Sequence, residues 1–147
     1  MPKWLLMALI YAVLVAGGKP AQEDVSRELK NLHGTWQLVE EIDDGKQMPA
    51  EEAKKTRLNF DSTARWKVEI DGKVVGEGTA TIDPTRKPKT IDYTFTKGEG
   101  AGTRFLAIYE LNGDSFRHCG VLKGSRPWEF SSKPGSGQIL TSFRREK

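Results

Sequence analysis

Residues 65–82 read RWKVEIDGKVVGEGTATI, and the way this stretch alternates decides the fold. Trp66, Val68 and Ile70 are separated by Lys67 and Glu69, a period of two that sends every second side chain to one face of a strand. Asp71-Gly72 follows, a dipeptide suited to a tight hairpin because both of its residues tolerate positive φ. The returning strand spans Lys73 to Ile82 and places Gly76, Gly78, Ala80 and Ile82 on one face. Side chains this small either relieve crowding by rings opposite them or leave space for a guest.

Moving outward, the same pattern recurs in both directions. After a proline-containing loop from Asp83 to Pro88, Ile91, Tyr93 and Phe95 alternate with Asp92, Thr94 and Thr96. Gly98-Glu99-Gly100-Ala101-Gly102 reads as a hairpin loop, and Asn112-Gly113 as a turn between strands at Arg104–Leu111 and Ser115–Leu122. A loop with Pro127, Pro134 and several glycines leads to a last strand from Gln138 to Arg145. Upstream, Leu58 and Phe60 mark another strand, and Pro49 to Lys55 has the proline and charge order of a short connector helix. The first strand carries Trp36, Leu38 and Ile42 on one parity, and the residues from Ala21 to Leu32 space Val25, Leu29 and Leu32 as one face of a short amphipathic helix.

Eight strands at this spacing predict an all-β chain, an eight-stranded antiparallel up-and-down barrel with a short N-terminal helix and a short connector helix. Closure removes the unpaired edges that an open sheet would expose. An interior of eight strands is just wide enough to be packed by its own side chains or to hold one small ligand. A cavity above ~300 Å³ marks the second case. A filled interior marks the first.

Composition narrows the class further. The chain has 147 residues, with 23 Lys and Arg against 20 Asp and Glu, a formal charge of +3. That length suits one domain. One cysteine, Cys119, and two histidines cannot form a disulfide framework or the usual four-ligand zinc site, so no cofactor or metal is expected. The bases are scattered at Lys54-Lys55, Arg86 to Lys89 and Arg144-Arg145, which argues against a nucleic-acid track. Met1-Pro2-Lys3 is followed by an apolar run from Trp4 to Ala16, shorter than the ~20 residues of a bilayer span and within the ~7–15 of a secretory signal. The expected organisation is a signal peptide over residues 1–17, a leader and helix over 18–31, and the barrel over 32–147. The product would be a monomer exported to the periplasm or beyond, with no membrane span after cleavage.

Gly34-Thr35-Trp36, opening the first strand after a short helix, resembles the Gly-x-Trp signature of lipocalins. That resemblance implies an arginine near the end of the last strand lying across the tryptophan, and Arg145 is the matching position. More closely, residues 32–147 resemble a family of small secreted lipocalin-like proteins found mainly in planctomycete bacteria, to which no activity is attached. The shared phrases are Gly34-Thr35-Trp36, Asp44-Gly45-Lys46, the loop from Asp83 to Asp92, Ile108-Tyr109-Glu110-Leu111, Arg126-Pro127 and the block Phe130-Ser131-Ser132-Lys133-Pro134-Gly135-Ser136-Gly137. The resemblance implies a fold and export. His118 departs from it, standing where that family tends to carry an apolar residue.

Candidate chemistry is sparse. Gly113-Asp114-Ser115-Phe116 echoes an esterase block but lies in a hairpin turn, and the glycine-rich segment at residues 98–102 opens onto a strand instead of a helix. His118 and Cys119 are adjacent on a strand and face opposite ways. Glu40 shares the parity of Trp36 and Leu38, which places it at the barrel rim within reach of a late arginine. Trp128 is expected to tuck under its own loop, or else to cap the mouth or meet a partner. These readings converge on a non-catalytic binder of a small apolar molecule, with Trp66, Tyr93, Phe95, Tyr109, His118 and Thr141 lining the site and Trp36 with Arg145 closing the base. The alternative is a packed-barrel interaction or structural module of the cell envelope, meeting a protein partner through the loops at residues 86–89 and 126–136.

Overall fold

A computed structural model describes residues 22–147; the expected signal peptide and most of the leader lie outside them. The element order is α1 (Gln22–Leu32), β1 (Gly34–Asp43), β2 (Lys46–Gln47), α2 (Ala50–Ala53), β3 (Thr56–Phe60), β4 (Arg65–Ile70), β5 (Lys73–Asp83), β6 (Lys89–Lys97), β7 (Arg104–Asn112), β8 (Ser115–Val121) and β9 (Ile139–Arg145). Apart from β2, each strand pairs antiparallel with the next in sequence, and β9 returns to β1 from Trp36↔Arg145 to Asp43↔Ile139. The barrel is therefore closed, with eight strands in up-and-down order. The additional strand β2 folds back on the end of β1 through a turn at Asp44 and Gly45, whose φ values are 49° and 83°. The hairpin at Asp71-Gly72 likewise uses positive φ at both positions, 52° and 77°, as a two-residue turn of the mirror-image type requires.

One end of the barrel is shut. Helix α1 buries Leu32 and packs Val25 and Leu29 against the core, because its apolar positions form a single stripe. Trp36 is wholly buried, and its Nε1–H donates to the Leu32 carbonyl at 2.8 Å. The Arg145 guanidinium lies 4.3 Å from the Trp36 ring centroid and donates from Nη1 to the His33 carbonyl at 2.9 Å. A cation thus sits at the C-terminus of α1, where the helix dipole favours it. Lys89 also donates to the buried Glu28 of α1 at 2.8 Å, tying the helix to β6.

The interior follows the alternation of the strands, with three local exceptions. In β1 the pairing with β9 slips between Leu38 and Glu40, a bulge that moves the following residues to the opposite face. Ile42 consequently leaves the interior parity, Glu40 is exposed with no ion pair among the described residues, and Glu41 turns inward. The expected pairing of Glu40 with a late arginine does not occur. In β4 and β5 a slip between Val68 and Glu69 lets the hairpin project beyond the barrel, leaving Ile70, Val74 and Val75 exposed. A third slip, between Glu77 and Gly78 in β5, brings Gly78 against β6.

The small residues of β5 have a clear purpose. A Cβ on Gly76 would sit 3.6 Å from Phe95 and 3.8 Å from Trp66, whereas one on Gly78 would fall 1.8 Å from the Thr94 carbonyl oxygen and 3.0 Å from Trp66. They make room for facing rings and a close backbone. Gly78→Ala is accordingly expected to lower stability by about 1–3 kcal/mol in a urea titration, while Gly76→Ala changes it by less than about 1 kcal/mol. Equal midpoints for the two variants would contradict this account of the glycines.

The segment between β8 and β9 lies along the outer wall. Arg126 donates to the Ala107 carbonyl at 2.8 Å, Arg117 stacks 4.0 Å from the Phe130 ring, and Cys119 Sγ contacts the Ser131 carbonyl at 3.2 Å. This cover buries Ile108 and Cys119 on the outside of the sheet. Trp128 neither tucks beneath it nor caps the barrel; it is 78% exposed. Its neighbours Arg126 and Phe130 take up the inward positions.

Candidate functional site

Each interior strand contributes aromatic or branched side chains to a common axis, and together they leave a cavity of about 240 Å³. The walls are Leu38, Leu58, Trp66, Val68, Tyr93, Phe95, Phe105 and Phe143, with Glu41, Thr56, His118, Leu122, Ile139 and Thr141 completing the lining. Thr56, Leu122 and Ile139 stand at strand ends remote from α1, so the cavity opens at the end opposite the Trp36–Arg145 closure. The aromatic side chains meet mostly edge to face: Trp66 with Phe95 at 4.9 Å and with Tyr93 at 5.6 Å, and His118 with Phe105 at 5.4 Å and with Phe143 at 5.3 Å. Such pairings hold each ring in one orientation.

Of the six residues expected to line a ligand site, Trp66, Tyr93, Phe95, His118 and Thr141 line this cavity. Tyr109 does not. It faces inward, but its ring packs against Phe116 at 6.1 Å and under the Lys89 ammonium at 5.9 Å, at the shut end. Strands in a barrel tilt by ~35–45°, so register partners such as Tyr109 and His118 stand at different heights along the axis. Phe105, four residues earlier on the same face, occupies the cavity level in its place.

The polar groups of the cavity form one oblique row. Glu41 of β1 is opposite Thr141 of β9, and Thr141 is opposite His118 of β8. His118 is 8% exposed, and its Nδ1 shares a hydrogen bond of 2.8 Å with the Tyr93 hydroxyl. Burial pushes its pKa down to about 3, so the imidazole is neutral and serves as a hydrogen-bonding group instead of a charge. Burial likewise raises the Glu41 carboxyl above its ordinary value, Asp43 adds to the rise, and the Thr141 hydroxyl eases it. Thr141 is only 2% exposed, yet its Oγ1 makes no hydrogen bond of full geometry.

Glu41 is the lining residue that strand alternation misplaces. The one signal for it is the pair Leu38-Val39, two apolar residues in succession, where a regular strand would alternate. Chemically, the row offers hydrogen-bond acceptors and a carboxylate within an otherwise apolar chamber. Among the described residues no cluster of His, Cys, Asp and Glu is disposed to hold a metal ion.

The class defined by this geometry is a closed, lipocalin-like β-barrel with an internal cavity open at one end. Set against protein-family models, curated proteins and solved structures, the chain matches none of them.

Proposed function

We propose that this chain is an exported, monomeric binding protein of the lipocalin-like type that holds a small, largely apolar molecule in its barrel without covalent chemistry. The observation that carries the proposal is the aromatic cavity of about 240 Å³, shut by Trp36 and Arg145 at one end and open at the other. This volume falls short of the ~300 Å³ expected of a ligand-holding barrel, so what supports a binder is the aromatic lining and the open end, and the guest is smaller than drug-sized. The guest is therefore a small molecule, on the order of ten non-hydrogen atoms. The Arg145–Trp36 stacking supports the lipocalin-like reading of the barrel; kinship with the secreted planctomycete barrels, the signal peptide and export belong to the same proposal.

The competing reading, a packed module with a protein partner, draws support from the exposed Trp128 on the outer segment. Ethylbenzene separates the two. Titrated into the protein, it is expected to give a saturable change in tryptophan emission that is lost in Trp66→Phe, and no binding in Val68→Trp, whose added ring fills the chamber. Native mass spectrometry after gentle purification should show a small co-purifying mass. Absence of saturable binding together with absence of any bound mass would reject the binder and leave the interaction module.

A further inference from the structure

The polar groups lining the cavity are Glu41, Thr56, His118 and Thr141, and Glu41 with Thr141 restricts what a guest can be. Glu41 makes no ion pair among the described residues: at this end of the barrel Lys54 pairs with Glu51 at 3.1 Å, Lys55 with Asp71 at 4.0 Å and Lys97 with Glu77 at 3.3 Å, while Lys46, opposite Asp43 on β2, and Lys123, beside Leu122, are exposed and form no ion pair with it. Asp43, two residues along β1, adds a second negative charge instead of compensating the first. A half-buried carboxylate without a cation is costly unless a ligand supplies one. Thr141, 2% exposed and lining the cavity, has an Oγ1 near enough to Glu41 to ease its carboxyl but with no hydrogen bond of full geometry. If its proton is directed to Glu41, its lone pairs remain free to accept from a guest. Trp66, Tyr93, Phe95 and Phe143 also line the cavity, and aromatic rings attract positive charge through their quadrupoles. His118 is neutral and engaged with Tyr93, so it offers no cation for an acidic guest.

We propose that the guest is a small apolar amine whose ammonium head meets Glu41 and Thr141 while its hydrocarbon part lies among Trp66, Phe95 and Phe143. This rests on the reading of the barrel as a binder and specifies its ligand class. A carboxylic acid of the same size would place two carboxylates together in a low-dielectric chamber, which disfavours it.

A matched set tests the proposal: 2-phenylethylamine, 2-phenylethanol, 3-phenylpropionate and ethylbenzene, each titrated calorimetrically at neutral pH. The amine is expected to bind at least about tenfold more tightly than ethylbenzene, as a charge-assisted hydrogen bond in a water-poor site should provide, with the alcohol intermediate and the acid weakest. Glu41→Gln should remove most of the amine's advantage over ethylbenzene, an unchanged near-UV circular dichroism spectrum showing that the variant is folded. Lowering the pH through the titration of Glu41 should weaken the amine alone. Acid or alcohol binding as tightly as the amine would overturn the amine assignment while sparing the binder, as would an amine preference untouched by Glu41→Gln. Failure of all four compounds would overturn the assignment together with the binder itself.

Discussion

Replacing Trp36 with alanine is expected to destabilise the barrel by about 3–5 kcal/mol, the range for truncating a fully buried aromatic in a close-packed core. Three contacts are lost together. The ring meets Phe116 at a tilt of 52° with centroids 5.5 Å apart and lies under the Arg145 guanidinium at 4.3 Å, and its Nε1–H holds the last carbonyl of α1, that of Leu32, at 2.8 Å. The first two belong to the barrel and the third to the helix that plugs it, so the substitution loosens the plug as well as hollowing the base. Melting temperature should fall by roughly 10–20 °C. Trp36→Phe separates the parts: it keeps a ring for Phe116 and Arg145 and gives up the hydrogen bond, so about 1–2 kcal/mol is expected from the uncapped carbonyl and the smaller ring. A Trp36→Ala protein that melts within a few degrees of the parent would show that the closed end is not organised around this side chain.

The same tryptophan illustrates what was legible in the amino-acid pattern. Its pairing with Arg145 was implied by the resemblance of Gly34-Thr35-Trp36 to the lipocalin signature, and closure supplies the geometry by bringing the first strand beside the last. The inward parity of Trp66, Tyr93, Phe95, His118 and Thr141 was legible from the pattern itself: alternation assigns a face, and closure turns one face into an interior. Height along the axis is a separate coordinate. Tyr109 has the inward parity yet lies against Phe116 and Lys89, because strand tilt moves register partners to different levels. Glu41 was hidden by a bulge, which shifts parity at a single residue, so an otherwise faithful reading of Trp36 and Leu38 fails beyond Val39. The exposed Trp128 had no period to read. Its orientation depends on contacts of Arg126 and Phe130 with strands distant in sequence.

Acidification is expected to destabilise the fold long before the ordinary carboxylates titrate, and His118 is the reason. Burial among Tyr93, Phe105, Phe116 and Phe143 brings its pKa from the ordinary 6.5 down to about 3. Between those values the unfolded chain takes up a proton at this residue and the folded barrel does not. Stability therefore falls as pH drops below 6.5, by about 1.4 kcal/mol per pH unit, approaching roughly 5 kcal/mol by pH 3. Other groups act in a lower window. Asp61, Asp83 and Glu110 have carboxyls held below their ordinary 3.8 and 4.5, so the stability they supply is present above those values and lost only beneath them. Glu41 has the opposite sign: its raised pKa means that protonation relieves an unfavourable buried charge, offsetting part of the loss. From pH 6.5 to about 5 the lowered carboxyls of Asp61, Asp83 and Glu110 are still ionised, so the histidine acts there against only the opposing contribution of Glu41 among these groups. His118→Gln retains a polar group for the Tyr93 hydroxyl and does not titrate. Urea midpoints for this variant should stay nearly flat across that interval while those of the parent decline. Parallel declines would mean that the imidazole is charged inside the barrel, and the cavity would then be a far more polar chamber than its aromatic walls require.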